Sequence, residues 1–198
     1  MTCPLVLGSA SPSRLELLKS LGIQEIRVRP ADIDETPQLR EVPRAYVLRL
    51  AQEKAQHVFE TLPEKMFVLG ADTIVALGRR IFQKAQDQEE ARRNITLLSG
   101  RRHRVYTGVC LITPSGAVRS RIACTHVSLK SLSPQETDFF VESGIWKGVA
   151  GYRLESFFDG FVRQINGTHS NIRGLPAYET TQLLGGNGFP LWSQEGSQ

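Results

Sequence analysis

Between Ser9 and Arg14 the chain reads Ser-Ala-Ser-Pro-Ser-Arg, a string of small residues and hydroxyls that closes on a guanidinium. Small side chains let a phosphate approach the backbone, hydroxyls donate to its oxygens, and Arg14 offers a bidentate fork. The same string is also an ordinary helix start, with Ser11 as N-cap and Pro12 at the first helical position. It is not a Walker loop, because the glycines and the Lys-Ser/Thr pair are missing. The second feature is acidic: Asp34-Glu35 in a loop, and Asp72 at the end of an apolar strand. A carboxylate at a strand's C-terminal end can hold Mg²⁺ or take a proton from water, although a single one is more often a turn or cap residue. The third is basic. Lys54 lies inside an amphipathic helical pattern and Lys84 follows the Arg80–Phe82 segment, and each alone reads as a solvated surface residue. His57, His103, His126 and His169 have no metal-ligand spacing. A metal here would be shared with substrate phosphates, which is magnesium's usual habit. Phe157, Phe158 and Phe161 read as strand core, and Cys110 and Cys124 as buried hydrophobes.

The elements that must position these groups follow from periodicity and breakers. Pro4–Ser9 reads as a buried strand, followed by a helix from Pro12 that Gly22 stops. A strand, a small-residue turn and a helix together aim backbone N–H groups at an anion. Glu25–Arg29 is a second strand, and Pro30–Pro43 an acidic loop. Pro43–Thr61 is a long helix, with Tyr46, Val47, Leu50, Lys54 and Val58 at helical spacing. Met66–Leu69 is a strand running into Gly-Ala-Asp-Thr, Ile74–Leu77 continues extended, and Arg80–Phe82 returns as a hairpin arm. A helix over Gln86–Leu98, strands over His103–Thr113 and Ala117–Lys130, and a helix from Ser133-Pro134 to Gly144 come next. Phe157–Ile165 reads as a strand and Pro176–Leu184 as the last helix. Residues 1–184 form one domain, and the Gly- and Ser-rich tail over 185–198 is expected to be loose. Alternating strands and helices make the class α/β.

The chain has 198 residues and a net charge of +4, with basic residues scattered rather than massed. That favours anionic ligands, but without a basic stripe or reader motif it gives no case for nucleic acid. No apolar stretch reaches the roughly 20 residues of a membrane span, and the N-terminal run lacks the charged lead of a secretory signal. Three cysteines without a CxxC pair point to the cytoplasm.

In order, the pieces are more specific than any one alone: SASPSR, DET, AQEKA, GADT, a lone lysine, LSG–H–VYTGV, AGY and SN-x-x-GLP. From about Leu5 to Leu184 they resemble the Maf family of nucleoside triphosphate pyrophosphatases, which is associated with septum formation. The resemblance implies a mixed, curved sheet with flanking helices, in two lobes around a deep cleft. It implies hydrolysis between the α- and β-phosphates, giving nucleoside monophosphate and diphosphate, with a divalent cation (Mg²⁺ or Mn²⁺), and a homodimer. Matched to the family's motifs, Ser9 and Arg14 would bind phosphate and Lys54 and Lys84 would neutralise the triphosphate. Glu35 and Asp72 would hold metal or activate water, with Asp72 the base.

Three positions depart from the family's pattern. Ser13 replaces a large side chain, Ala85 replaces proline after Lys84, and Glu155 stands where the thymidine/uridine group carries glutamine and the 7-methylguanosine group glutamate. Glu155 thus points to 7-methyl-GTP, whereas GADT and THSNIRGLP resemble the dTTP/UTP group. The two long motifs tip the reading towards dTTP and UTP. A reading of another class is a non-catalytic, nucleotide-binding regulator of cell division.

Overall fold

The apolar triplet Leu5–Leu7 is β1, fully buried at the centre of the computed structural model, which describes residues 4–154 and 156–192. Helix α1 (Pro12–Ser20) carries the chain over to β2 (Ile26–Val28), which pairs with β1 in parallel. Parallel neighbours need such a crossover. Helix α2 (Pro43–Thr61) does the same for β3 (Phe67–Leu77), parallel to β1 on its other side. Beyond β3 the sheet is antiparallel: β5 (Arg102–Ile112), β6 (Val118–Leu129) and β7 (Val162–Asn166) follow in turn, and the short β4 (Arg80–Phe82) folds back on β3. The result is a seven-stranded mixed sheet in the order β2-β1-β3-β5-β6-β7, with β4 paired to β3. Helices α1 and α6 (Ala177–Gly186) cover one face of its β1–β3 end, and α2 covers the other. Helices α3 (Gln88–Leu98) and α4 (Pro134–Ser143) build a second apolar cluster beyond β5.

Strand β3 decides where a site can be. One edge pairs with β5 along nearly its whole length. The other edge pairs with β1 only as far as Leu69, and with β4 only from Val75. Between them, residues 70–74 have no strand on that edge, and the sheet splits there. Asp72 therefore lies in the middle of a continuous strand at the split, and not at the strand's end as the apolar run implied. The strand continues because β5 pairs through Asp72, opposite Gly108.

Helix α2 comes down on this region through two glycines. A Cβ on Gly70 would lie 2.7 Å from the Ala55 nitrogen, and one on Gly108 would lie 2.5 Å from the Val47 carbonyl oxygen. The contacts are with backbone, which cannot swing aside. Gly70→Ala is therefore expected to destabilise the protein by about 3 kcal/mol, at the upper end of overpacking costs. Gly160→Ala, where nothing lies within 4 Å, should leave the urea midpoint nearly unchanged. Equal midpoints for the two variants would show that α2 adjusts freely.

Other readings of the sequence are corrected or completed. Phe157–Phe161 is a 3₁₀ turn, not the start of a strand, because the Ser156 hydroxyl accepts from the Phe158 N–H and turns the chain. A short helix, α5 (His169–Ile172), follows β7, capped by Thr168 accepting from the Asn171 N–H. Cys124 is exposed because it alternates along β6 with the buried Ala123 and Thr125 and so faces outwards, while Cys110 is buried. The tail expected to be loose packs as far as Trp192. Helix α6 runs on to Gly186, Phe189 is buried edge-on against Phe67 at 5.4 Å, and the Trp192 indole N–H donates to the Leu21 carbonyl. Among the described residues, no helix is long and apolar enough to cross a membrane.

Candidate active site

Lys54 projects from the buried face of α2 towards the split in the sheet. Its Nζ lies 2.6 Å from Asp72 Oδ1 and 2.6 Å from Glu35 Oε1, so one ammonium bridges two carboxylates. The triad is graded in exposure: the Lys54 and Asp72 side chains are 9% and 10% accessible, whereas Glu35 is 41%. Glu35 is fixed through its backbone, its carbonyl accepting from the Tyr46 hydroxyl at 2.6 Å. Its neighbour Asp34 closes a turn by accepting from the Thr36 N–H. Burial works to raise the Glu35 carboxyl, but the Lys54 hydrogen bond and charge, with Lys84 and Arg14 behind them, outweigh it and hold the group below the usual glutamate range. Lys84 Nζ stands 3.9 Å from Glu35 Oε2 and is itself exposed.

Arg14 enters from the other side of the split. Its Nη1 donates to Ser9 Oγ (2.8 Å), its Nε to the Gly174 carbonyl (2.8 Å) and its Nη2 to Thr73 Oγ1 (3.2 Å). Ser9 also accepts from the Ser11 N–H, whereas Ser11 sits at the N-cap without a side-chain cap bond. The network runs deeper: the Thr73 and Thr107 hydroxyls meet at 3.0 Å, and Thr107 donates to the Asn171 carbonyl. Asn171 is fully buried and donates in turn to the Val105 carbonyl and to Thr125. Burial pushes the Arg14 guanidinium downwards, against the pull of Asp72 and Glu35. Among the described residues no carboxylate forms an ion pair with it. A buried, oriented cation without its own counter-ion is suited to an anion from outside.

The structure therefore brings Ser9, Arg14, Glu35, Lys54, Asp72 and Lys84 to one place. Glu155 lies outside the described residues. Thr73, Thr107, Asn171, Tyr46 and the Gly174 carbonyl were missed, although the first three are polar residues inside GADT, VYTGV and SN-x-x-GLP. An open cavity of about 580 Å³ lies beside Glu35, lined by residues that include Thr36, Arg79, Ile81 and Gln83. Its size is in the range of small-ligand sites. No cluster of three or more metal-ligating side chains occurs among the described residues. Glu35 and Asp72 each bond Lys54 through one oxygen, and the second Glu35 oxygen stands 3.9 Å from Lys84 Nζ. Two hard oxygens fit a Mg²⁺ shared with phosphates, not an all-protein cage.

A family model described as Maf-like protein matches residues 4–186. The chain is 49% identical over 193 residues to a dTTP/UTP pyrophosphatase of Rhodopseudomonas palustris (strain HaA2), covering 94% of this chain and 93% of that protein. To a dTTP/UTP pyrophosphatase of Agrobacterium fabrum it is 48% identical over 195 residues, covering 96% and 94%. Among solved structures it is similar to a HAM1 protein from Coxiella burnetii, with a TM-score of 0.52 at 16% identity over 92% of this chain and 96% of that one. That likeness is one of fold.

Proposed function

The chain belongs to the Maf-like family, and from that membership we propose that it hydrolyses dTTP and UTP to the nucleoside monophosphate and diphosphate. The observation that carries the reading furthest is the buried Arg14, oriented by Ser9, Thr73 and Gly174, without an ion-pair partner among the described residues and within electrostatic reach of Asp72 and Glu35. Relatives with nearly half their residues in common are named for dTTP and UTP, which supports the pyrimidine over 7-methyl-GTP.

In this reading Ser9 and Arg14 hold phosphate oxygens, and Lys84 covers the exposed side of the triphosphate. Asp72 takes the proton of a water that attacks phosphorus at the α–β bridge. The new P–O bond forms from that water as the bridging P–O bond breaks, and diphosphate leaves. Lys54 holds the Asp72 carboxylate in place through its hydrogen bond, while the lysine and arginine charges meet the negative charge that grows on the departing oxygens. Glu35 and Asp72 would hold Mg²⁺ or Mn²⁺, which supplies further charge neutralisation on the phosphates. Three cysteines without a CxxC pair support the cytoplasm as the compartment, and the family resemblance supports a homodimer as the working form, which sedimentation at several concentrations would detect.

A nucleotide panel with Mg²⁺ or Mn²⁺, assayed for diphosphate, tests the reading. Release of diphosphate from dTTP and UTP is expected; nucleoside diphosphate as the product, or no turnover of any triphosphate, overturns it. Glu155→Gln refines the test. A carboxylate meets the N3–H of uracil or thymine but repels the two flanking carbonyls, whereas glutamine can donate as well as accept. The variant should shift kcat/KM towards UTP and dTTP, relative to 7-methyl-GTP, by about 10-fold. An unchanged ratio would remove Glu155 from base reading.

A further inference from the structure

His103 and Tyr152 form a buried pair that phosphate chemistry does not use. His103 lies on β5, almost wholly inaccessible, and its Nε2 is 2.6 Å from the Tyr152 hydroxyl. The Tyr152 ring stacks on Phe158 at 4.2 Å, and Phe158 packs in turn against Phe140 and Phe161. The other imidazole nitrogen, Nδ1, is buried without a well-formed hydrogen bond, although the Arg101 backbone acts on the ring. A buried polar pair of this kind costs free energy to desolvate, and a phenylalanine facing a leucine would fill the same space. Burial depresses the His103 imidazole to about 4 and raises the Tyr152 phenol far above its usual range. The pair is neutral around pH 7 and acts through geometry, not charge.

The geometry leads towards the site. Immediately before Tyr152, Gly151 passes over β3 at a positive φ of 88°, where a Cβ would lie 3.2 Å from a methyl of Val75. Before that, the Ala150 backbone pairs with Lys84 in an isolated antiparallel bridge. That bridge ties the Lys84 backbone, whose carbonyl also accepts from the Gln86 side chain at 2.9 Å, to the 150–152 segment, and the Lys84 side chain stands beside Glu35. Three successive residues thus attach one segment to the Lys84 backbone, to β3 and, through the tyrosine hydroxyl, to β5. An isolated bridge has no ladder on either side to support it. Its register depends on what fixes the following residues.

We propose that His103 and Tyr152 are positioning residues that set the place of Lys84 at the triphosphate, by locking the 150–152 segment to which Lys84 is bridged. This rests on the reading of Lys84 as a substrate-binding cation. Loss of the tyrosine hydroxyl leaves the ring and its stack on Phe158 but frees the segment, and with it Lys84.

The test is a double-mutant cycle on dTTP hydrolysis with wild type, Tyr152→Phe, Lys84→Ala and the double variant. Tyr152→Phe is expected to lower kcat/KM by about 5–10-fold, the scale of one lost hydrogen bond. That loss should divide between KM and kcat as it does in Lys84→Ala. The double variant should be no worse than Lys84→Ala alone, within about twofold, since the hydroxyl has nothing left to position. His103→Gln, which keeps a hydrogen-bonding group facing the tyrosine, should recover part of the activity that His103→Leu loses. Losses that multiply in the double variant, or a Tyr152→Phe that changes only the melting temperature, overturn the inference. The same cycle read by calorimetric binding of a non-hydrolysable α,β-imido analogue of dUTP does not require turnover. A wild-type protein that binds the analogue but releases no diphosphate would defeat the hydrolytic reading, while the binding cycle still decides the role of the pair.

Discussion

Asp72→Asn lowers turnover by about 10²–10⁴-fold, the usual contribution of a general base, while nucleotide binding persists. The substitution keeps the size of the side chain and an oxygen that can accept from Lys54, now 2.6 Å from Asp72 Oδ1. It removes the charge that could take a proton or face a cation. Because Asp72 sits in mid-strand, paired across to Gly108, the backbone has little freedom to bring another group into its place. The comparison is single-turnover diphosphate release against equilibrium binding of the α,β-imido analogue. Near-normal turnover would transfer the base role to Glu35, the other carboxylate on Lys54.

Lys54→Ala has the next largest effect, and it acts on stability as well as rate. Removing the ammonium leaves Asp72, buried, and Glu35, half-exposed, facing each other without the cation between them. Breaking a fully buried pair costs about 3–5 kcal/mol. With Glu35 open to solvent, about 2–3 kcal/mol is expected, and kcat/KM should fall by about 10²–10³-fold, as for removal of one charge-stabilising donor. The pH dependence of stability should weaken through Glu35. In the wild type its carboxyl is held low, so its contribution is present above the unfolded carboxylate value and is lost as pH falls through the lower folded value. Without Lys54 the largest remaining influence on Glu35 is burial, which raises the carboxyl, so the variant should lose less stability than wild type between pH 7 and pH 4. Urea unfolding at pH 7 and pH 4 measures this. A variant as stable as wild type, with the same pH dependence, would mean that Lys54 does not hold the two carboxylates.

The chain's own order of residues determines much of this protein. Short apolar runs, helical spacing in 43–61, and Gly or Pro at the breaks are local, and local chemistry fixed most helices and strands close to where they stand. The chemical types at the site were equally legible, because a phosphate needs hydroxyls, small residues and a fork, and those are named by the residues at 9–14. What local reading could not supply is adjacency. Lys54 reads as a surface lysine until α2 is seen lying on β3, and α2 lies there because Gly70 and Gly108 admit its backbone. Asp72 reads as the end of a strand, since nothing local says that β5 pairs through it while β1 and β4 leave the opposite edge open. The Phe157–Phe161 segment has strand-forming residues, but Ser156 capping and the stack of Phe158 on Tyr152 outweigh that preference. The tail is polar and glycine-rich in composition, yet Phe189 finds Phe67 and is buried. Pairing across the sheet and helix-to-sheet approach depend on residues far apart in the chain, as between Arg14 and Gly174, 160 positions apart. Such contacts leave no periodic trace in the sequence, and only the folded chain decides them.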